Sequence, residues 1–587
     1  MSQCHATEGD LMASIDEALT ARLDKSVFPL KQRWGTPEFR WHTAYPGDVP
    51  AGIEFEALRL EKLLCLAANR FPERIALRYF GANWTYQKLK KRVQRVAANL
   101  HERGISPGDR VLVVLPNSPE FVVAFFALHW IGAQVVPASP LLSVKDLVEL
   151  ADTAGVKAVF GLDLRIAPIL ELLEQREIPL LVVCSLSTHL PPYMRWPYQI
   201  KVKLSKRRKS DEQTTVLKFK NLYHRRAGVI EEPLLSDTEL PAILQPTGGT
   251  TGTPKIAVLT HTNLHANVAQ LHVWCGLEPG RETMLAVLPF FHVFGATVAL
   301  TSAVAGGATL LLQARFDPKR VFRVMQKWKP SVAPMVPFMI ASLCEEMKNR
   351  KRNIQGLQFV FSGASPLESS LKEEFQERTG ATIFEGYGLS EASPVTHTNP
   401  PDSTAIAGSI GVPLPNTEAK VVDKETGLVE LPVGEVGELA IRGPQVMQGY
   451  LKNEEETSMV LRDGWLHTGD MAKMNEDGYF TLVDRKKDMI ISGGLNVFPT
   501  EVEQILETHP GVRECAVVGM PDRLYGDRVV AFVVAEEDEE VNPALLRMYC
   551  NKRMASYKVP QSIEFCDDLP KNFLGKLRRF ELRKRAA

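Results

Sequence analysis

Strand-length apolar runs alternate with helix-period segments along the first half of this sequence, and that rhythm leaves few architectures open. Thr85 can cap a helix that carries Leu89, Val93, Val96 and Leu100 at helical spacing. Gly104, Pro107 and Gly108 end it, and Val111 to Leu115 reads as a fully buried strand. A second helix is expected from about Pro119 to Trp130, then a short strand at Gln134 to Pro137. Elements alternating at this pace imply parallel sheets wound with crossover helices. The 587 residues exceed one ordinary core, so two or more domains are expected.

Other stretches refine this outline. Leu11, Ile15, Leu19 and Leu23 fit one face of an opening helix. Thr283 to Leu312 is almost wholly apolar and long enough to span a bilayer, but Pro289, His292, Gly295, Gly306 and Gly307 divide it. A buried strand–helix–strand is therefore expected. Residues 191–226 break the rhythm with a dense run of Lys and Arg, from Lys201 to Arg226, near Tyr193, Trp196 and Tyr198. A solvated surface insertion is the plain reading, and a patch for anionic lipid headgroups the sharper one. Beyond Asp484, short strands (Cys515 to Met520, Val529 to Val534) and short helices (Thr500 to Glu507, Pro543 to Ala555) suggest a compact α+β unit. The expected fold is α/β. It has an N-terminal extension over 1–50, a large domain of wound mixed sheets flanked by helices over 51–484, and a small mobile α+β domain over 485–587.

Composition narrows the function classes. Lys plus Arg and Asp plus Glu both number 69, so no global basic field points to nucleic acid. Eight scattered cysteines never form a CxxC pair, which suits a reducing cytosol better than a disulfide framework. No basic region followed by an apolar run opens the sequence, so a soluble cytoplasmic protein is expected.

The most informative stretch is Gln245-Pro-Thr247-Gly248-Gly249-Thr250-Thr251-Gly252-Thr253-Pro254-Lys255. Three glycines let successive N–H groups converge on an anion, four threonines add hydroxyl donors, and Lys255 adds a cation. That chemistry suits a polyphosphate. It is not a Walker A loop, because Gly-Lys-[Ser/Thr] is missing at the required offset. His261 and His265 have i, i+4 spacing, but without Glu in the second position or a third ligand no zinc site follows, and they read as polar helix residues. No GxSxG elbow is present.

The loop resembles the phosphate-binding signature of adenylate-forming enzymes, and further motifs of that family follow in order. Phe361-Ser-Gly-Ala364-Ser365-Pro366-Leu367 resembles the adenine-side loop, followed by Glu385-Gly386-Tyr387-Gly388-Leu389-Ser390-Glu391. The resemblance implies that Tyr387 stacks on adenine, that Ser390, where Thr is usual, meets the α-phosphate, and that Glu391 holds Mg²⁺. It places Asp470, in Gly464-Trp-Leu-His-Thr-Gly-Asp470, on the ribose hydroxyls with Arg485 as partner, and Lys487 at the hinge. Lys576, in the terminal Leu569-to-Lys576 loop, matches the catalytic lysine that enters the site for the first half-reaction. Thr247 and Lys255 share the catalytic side with Glu391. His292, Gly411, Gly493 and Gly494 fall on the acyl or coenzyme A side.

The overall texture resembles bacterial-type long-chain fatty acid–CoA ligases, through Gly443-Pro-Gln-Val-Met-Gln-Gly-Tyr450 and Pro289-Phe-Phe-His292 among others. What this implies is ATP-dependent activation of a medium- to long-chain fatty acid to acyl-AMP and then acyl-CoA. ATP, Mg²⁺ and coenzyme A would be its co-reactants. Transfer to a carrier-protein thiol, or activation of an aryl or other small acid, stays open, as do a homodimer and contact of residues 201–226 with a membrane.

Overall fold

The computed structural model describes residues 30–33, 39–47, 49–205, 214–224, 228–247, 255–401, 405–492, 495–522, 526–536, 541–571 and 577–586. The expected opening helix around Leu11 to Leu23 lies outside them. So do Gly248 to Pro254, Gly493, Gly494 and Lys576.

The alternating rhythm builds two large sheets. In the first, eight strands run in the order Gly449–Tyr450, Lys255–Thr260, Pro241–Thr247, Gln134–Pro137, Arg110–Val114, Ala158–Leu162, Leu180–Cys184, Thr215–Lys218. Strands from Pro241–Thr247 to Thr215–Lys218 are parallel, while Lys255–Thr260 and Gly449–Tyr450 add on antiparallel. Strand Arg110–Val114 shows why its sequence is uninterruptedly apolar. Val111 and Val113 enter one core, and Leu112 and Val114 enter another on the opposite face.

Nine strands form the second sheet, with Thr382–Gly388, Phe359–Ser362, Val332–Met335, Thr283–Ala286 and Thr309–Leu312 parallel along its middle. Between strands Thr283–Ala286 and Thr309–Leu312 the chain forms a buried π-helix, Phe294–Thr301, continued by helix Ser302–Ala305. This is the expected strand–helix–strand, and among the described residues no helix is long and apolar enough to cross a membrane. Helix Pro119–Trp130 is buried on every side, as its all-round apolar sequence requires. Helix Tyr86–His101 is capped where expected: Lys88 N–H donates to the Thr85 hydroxyl at 3.2 Å.

A third, antiparallel sheet contains Glu418–Val422, Gly437–Arg442, Trp465–Met474 and Phe480–Arg485. The C-terminal α+β part has a sheet and a core of its own. Val517 and Val533 pack on one face, and Ala516, Val518 and Phe532 on the other, with Leu582 over the second. Its strands, Val512–Asp522 and Gly526–Ala535, outrun the expected apolar stretches because cross-strand pairing continues past them. Helix Pro543–Asn551 ends before Ala555, where Arg553 and Met554 both donate to Cys550 O and close the last turn.

One reading is corrected. The described residues between 191 and 224 continue the βαβ rhythm: helix Pro192–Ser205 is followed by edge strand Thr215–Lys218, parallel to Leu180–Cys184, and then by helix Phe219–His224. Solvent on the strand's faces and the charges of the helix hid both elements. His261 and His265 do stand in a helix, His261–Cys275, as expected. Both are fully buried, and their Nδ1 atoms accept from the N–H groups of Leu60 and Leu58, at 3.1 and 3.0 Å.

Candidate active site

Several of the described candidates follow the carboxyl ends of parallel strands, where open α/β sheets place their ligands, and others stand on the antiparallel strands Trp465–Met474 and Phe480–Arg485. Strand Pro241–Thr247 ends at Thr247, which pairs with Lys255 across an antiparallel ladder. The seven residues between them, the Gly/Thr run of the phosphate motif, lie outside the described residues. Strand Phe359–Ser362 delivers Ala364, Ser365 and Pro366, all exposed. Strand Thr382–Gly388 delivers Tyr387 and, one short turn on, Ser390 and Glu391. Gly388 is demanded by space: a Cβ there would lie 2.1 Å from Pro394 O.

One side of the site is a hydrogen-bonded triad. The Tyr387 hydroxyl donates to Asp470 Oδ2 at 2.5 Å, and Arg485 Nε meets Asp470 Oδ1 at 2.7 Å. Strand pairing places Asp470 directly opposite Arg485. Asp470 is buried, at 4% exposure. Burial and the Asp470 charge push the Tyr387 phenol well up, so it stays a donor. Burial works against the Arg485 charge, but Asp470 and, more weakly, Glu391 outweigh it. Each Asp470 oxygen keeps a second lone pair, so the carboxylate can still accept from a ligand's hydroxyl groups.

The other side is a chain of carboxylate, phenol, ammonium and carboxylate. Lys255 Nζ lies 2.5 Å from Glu456 Oε2 and 5.3 Å from the centre of the Tyr450 ring. The Tyr450 hydroxyl donates to Glu391 Oε1 at 2.9 Å. Among the described residues only one oxygen of Glu391 is engaged in this way, and the carboxylate is half-buried. A single hard oxygen donor of this kind fits Mg²⁺ shared with phosphate oxygens.

The acyl-side candidates adjoin both. Gln245 Nε2 donates to Phe291 O at 3.3 Å, tying the phosphate strand to Phe291-His292. Two residues on, the Phe294 ring reaches within 3.5 Å of where a Cβ on Gly363 would stand. Gly411 has φ +88°, and a Cβ there would sit 2.0 Å from the Thr398 carbonyl carbon, so backbone crowding alone requires glycine. Glu385 ion-pairs with Lys372 at 2.7 Å, and its carbonyl accepts from Asn399 N–H. Lys487 is exposed, two residues beyond Arg485.

Sequence reading missed Tyr450, Glu456 and Glu438. Glu438 takes Gly469 N–H on Oε1 at 3.1 Å and Lys486 Nζ on Oε2 at 2.8 Å. It thereby holds the neighbours of both Asp470 and Arg485. Tyr450 stood inside a recognised motif without an assigned partner, while nothing local marked the two glutamates.

Comparison with known proteins converges on one family. The AMP-binding enzyme family matches residues 66–451, and the AMP-binding enzyme C-terminal domain matches residues 501–576. A long-chain-fatty-acid–CoA ligase of Bacillus subtilis is 35% identical over 92% of this chain and 97% of its own length. One from Salmonella typhimurium is 34% identical over 93% and 98%. The solved structure of O-succinylbenzoate coenzyme A synthetase from Bacillus subtilis, in complex with ATP and magnesium ion, matches with a TM-score of 0.73. Its identity is 28%, covering 89% of this chain and 99% of that one.

Proposed function

This chain belongs to the AMP-binding enzyme family, and on that premise we propose that the acid it activates is a medium- to long-chain fatty acid. The family's activity is ATP-dependent acyl-CoA ligation, with ATP, Mg²⁺ and coenzyme A as co-reactants. The observation that carries the reading is the convergence of four motifs at the strand ends. The Tyr387–Asp470–Arg485 triad, the Glu391–Tyr450–Lys255 chain, the Ala364–Pro366 turn and the Phe291–Phe294 segment share one neighbourhood.

In the proposed first step a carboxylate oxygen attacks the α-phosphorus of ATP, the bond to the β-phosphate oxygen breaks, and pyrophosphate leaves. Thr247, Lys255 and the loop from Gly248 to Thr253 hold the departing phosphates. Glu391 would hold Mg²⁺, which offsets phosphate charge when bound. Ser390 meets the α-phosphate. Asp470 accepts the ribose hydroxyls, aligned by Tyr387 and Arg485, and Ala364 to Pro366 with Glu385 to Leu389 border the base. Lys576 stabilises the charge developing between carboxylate and phosphorus. In the second step residues 485–587 turn about Lys487 and withdraw Lys576. The coenzyme A thiol attacks the acyl carbonyl and AMP leaves, with His292, Gly411, Gly493 and Gly494 lining that side.

A second reading, an aryl acid substrate, is favoured by the match to a synthetase named for o-succinylbenzoate. Measuring AMP release over acids from acetate to oleate, with an aryl acid alongside, separates the two. A tunnel for a fatty chain predicts a kcat/KM rising by up to about fourfold per CH₂, from ~0.8 kcal/mol each. A preference for acetate or the aryl acid would overturn the fatty acid reading. Loss of free thiol in step with AMP identifies coenzyme A, rather than a carrier protein, as acceptor.

A further inference from the structure

Helix Pro192–Ser205 packs against the turns Asp163–Arg165 and Leu186–Thr188, with one face held and the other bare. Its inner face is anchored at Tyr198, whose hydroxyl donates to Asp163 Oδ1 and accepts from Leu186 N–H at 3.4 Å. Arg195 adds bonds from Nε to Ser187 O at 3.1 Å and from Nη2 to Leu190 O at 3.3 Å. The outer face carries Tyr193, Trp196 and Ile200, spaced i, i+3, i+7 along one stripe. They are 77%, 74% and 48% exposed, and the first two are the most exposed large apolar side chains among the described residues.

A solvated helix usually turns only polar and charged side chains outward, whereas this one turns out two large aromatic rings and an isoleucine beside Arg195, Gln199 and Lys201. Tyr and Trp are the residues that settle at a membrane–water boundary, their rings in the headgroup layer. The electrostatics match. Residues 191–226 contain eleven Lys and Arg against two acidic residues, in a chain whose total charge is zero. Of these, Lys201 continues the helix, and exposed Lys218 and Lys220 follow on the adjoining edge strand and helix. Basic side chains beside an anionic leaflet contribute about 1 kcal/mol each. No described helix can cross a bilayer, so the face would lie on the membrane rather than in it.

We infer that the Tyr193–Trp196–Ile200 face of this helix docks the protein onto an anionic lipid bilayer. The inference is independent of which acid is activated, because the strand that follows this helix, Thr215–Lys218, is at the far edge of its sheet from the strands of Lys255 and Tyr450.

The test is flotation of the full chain with phosphatidylcholine vesicles, with and without phosphatidylglycerol. Three proteins are compared: the wild type, Tyr193→Ala/Trp196→Ala/Ile200→Ser, and Lys201→Glu/Lys218→Glu/Lys220→Glu. The wild type should bind the anionic vesicles at least about tenfold more tightly than the neutral ones, and each variant should lose at least about tenfold of that binding. Retained acid-dependent pyrophosphate exchange would report that both variants are folded. The emission lost in Trp196→Phe should be the component that shifts to the blue on vesicle binding. Undiminished binding by the apolar variant, absence of wild-type binding, or preference for single-stranded nucleic acid at equal phosphate would each overturn the inference.

Discussion

Asp470 receives the Tyr387 hydroxyl on one oxygen and the Arg485 guanidinium on the other, while nearly excluded from solvent. A ribose in the proposed pose would meet a carboxylate already aligned, so little ordering remains for binding to impose. Asp470→Asn removes the charge that holds Arg485. Asp470 is buried but Arg485 is partly exposed, and a hydrogen bond to a charged group contributes about 1.5–3 kcal/mol, so kcat/KM for ATP should fall by at least about tenfold in steady-state kinetics. An unchanged value would remove Asp470 from the nucleotide site. Lys255 makes the opposite case. In this structure its cationic head lies against Glu456, and a phosphate would have to displace that carboxylate. The pair is partly exposed and worth at most about 1 kcal/mol. Glu456→Gln should therefore lower KM for ATP about two- to fivefold, and a raised KM would show that Glu456 assists binding instead.

Among elements, strand Gly437–Arg442 does work that no motif announced. Glu438 bridges the turn before Asp470 to the residue after Arg485. Burial alone would raise its carboxyl, but the His467 ring and the Lys486 ammonium win and hold it at about 2. A depressed folded value stabilises above the usual carboxylate range, and that stability is lost as pH falls through about 2. Urea titrations should show the wild type's advantage over Glu438→Gln shrinking steadily below pH 4.5, and a constant gap would contradict the assignment. Helix Tyr86–His101 offers a simpler check, since Thr85→Ala removes its capping oxygen and should cost about 1 kcal/mol of unfolding free energy. Such caps, like the strands buried on both faces, were legible because local periodicity and one side chain specify them. Edge strand Thr215–Lys218 was not, because an element wetted by solvent leaves no apolar run to read. The candidate site divides the same way. Tyr387, Glu391, Asp470 and Arg485 stand in contiguous motifs, whereas Glu456 reaches Lys255 across 201 residues and only the folded chain brings them together.

At the scale of the whole molecule, the C-terminal part carries its own two-sided core and internal ion pairs, such as Arg579 with Glu503 and Arg583 with Asp488. Under the proposed reading it turns as one body about Lys487, and Thr500 N–H to Asp484 Oδ2 at 2.8 Å ties its first helix to the larger part. If rotation carries Lys576 in and out, Lys576→Ala should lose at least about a hundredfold in adenylation while sparing thioester formation from supplied acyl-AMP. Equal loss in both half-reactions would deny it a step-specific role. The central claim, that a fatty carboxylate is activated on ATP before any thiol takes part, is tested most directly by exchange of labelled pyrophosphate into ATP without coenzyme A. The account predicts exchange that starts on adding oleate and stops when the acid is withheld. Exchange that ignores the acid, or appears only once coenzyme A is supplied, would contradict it.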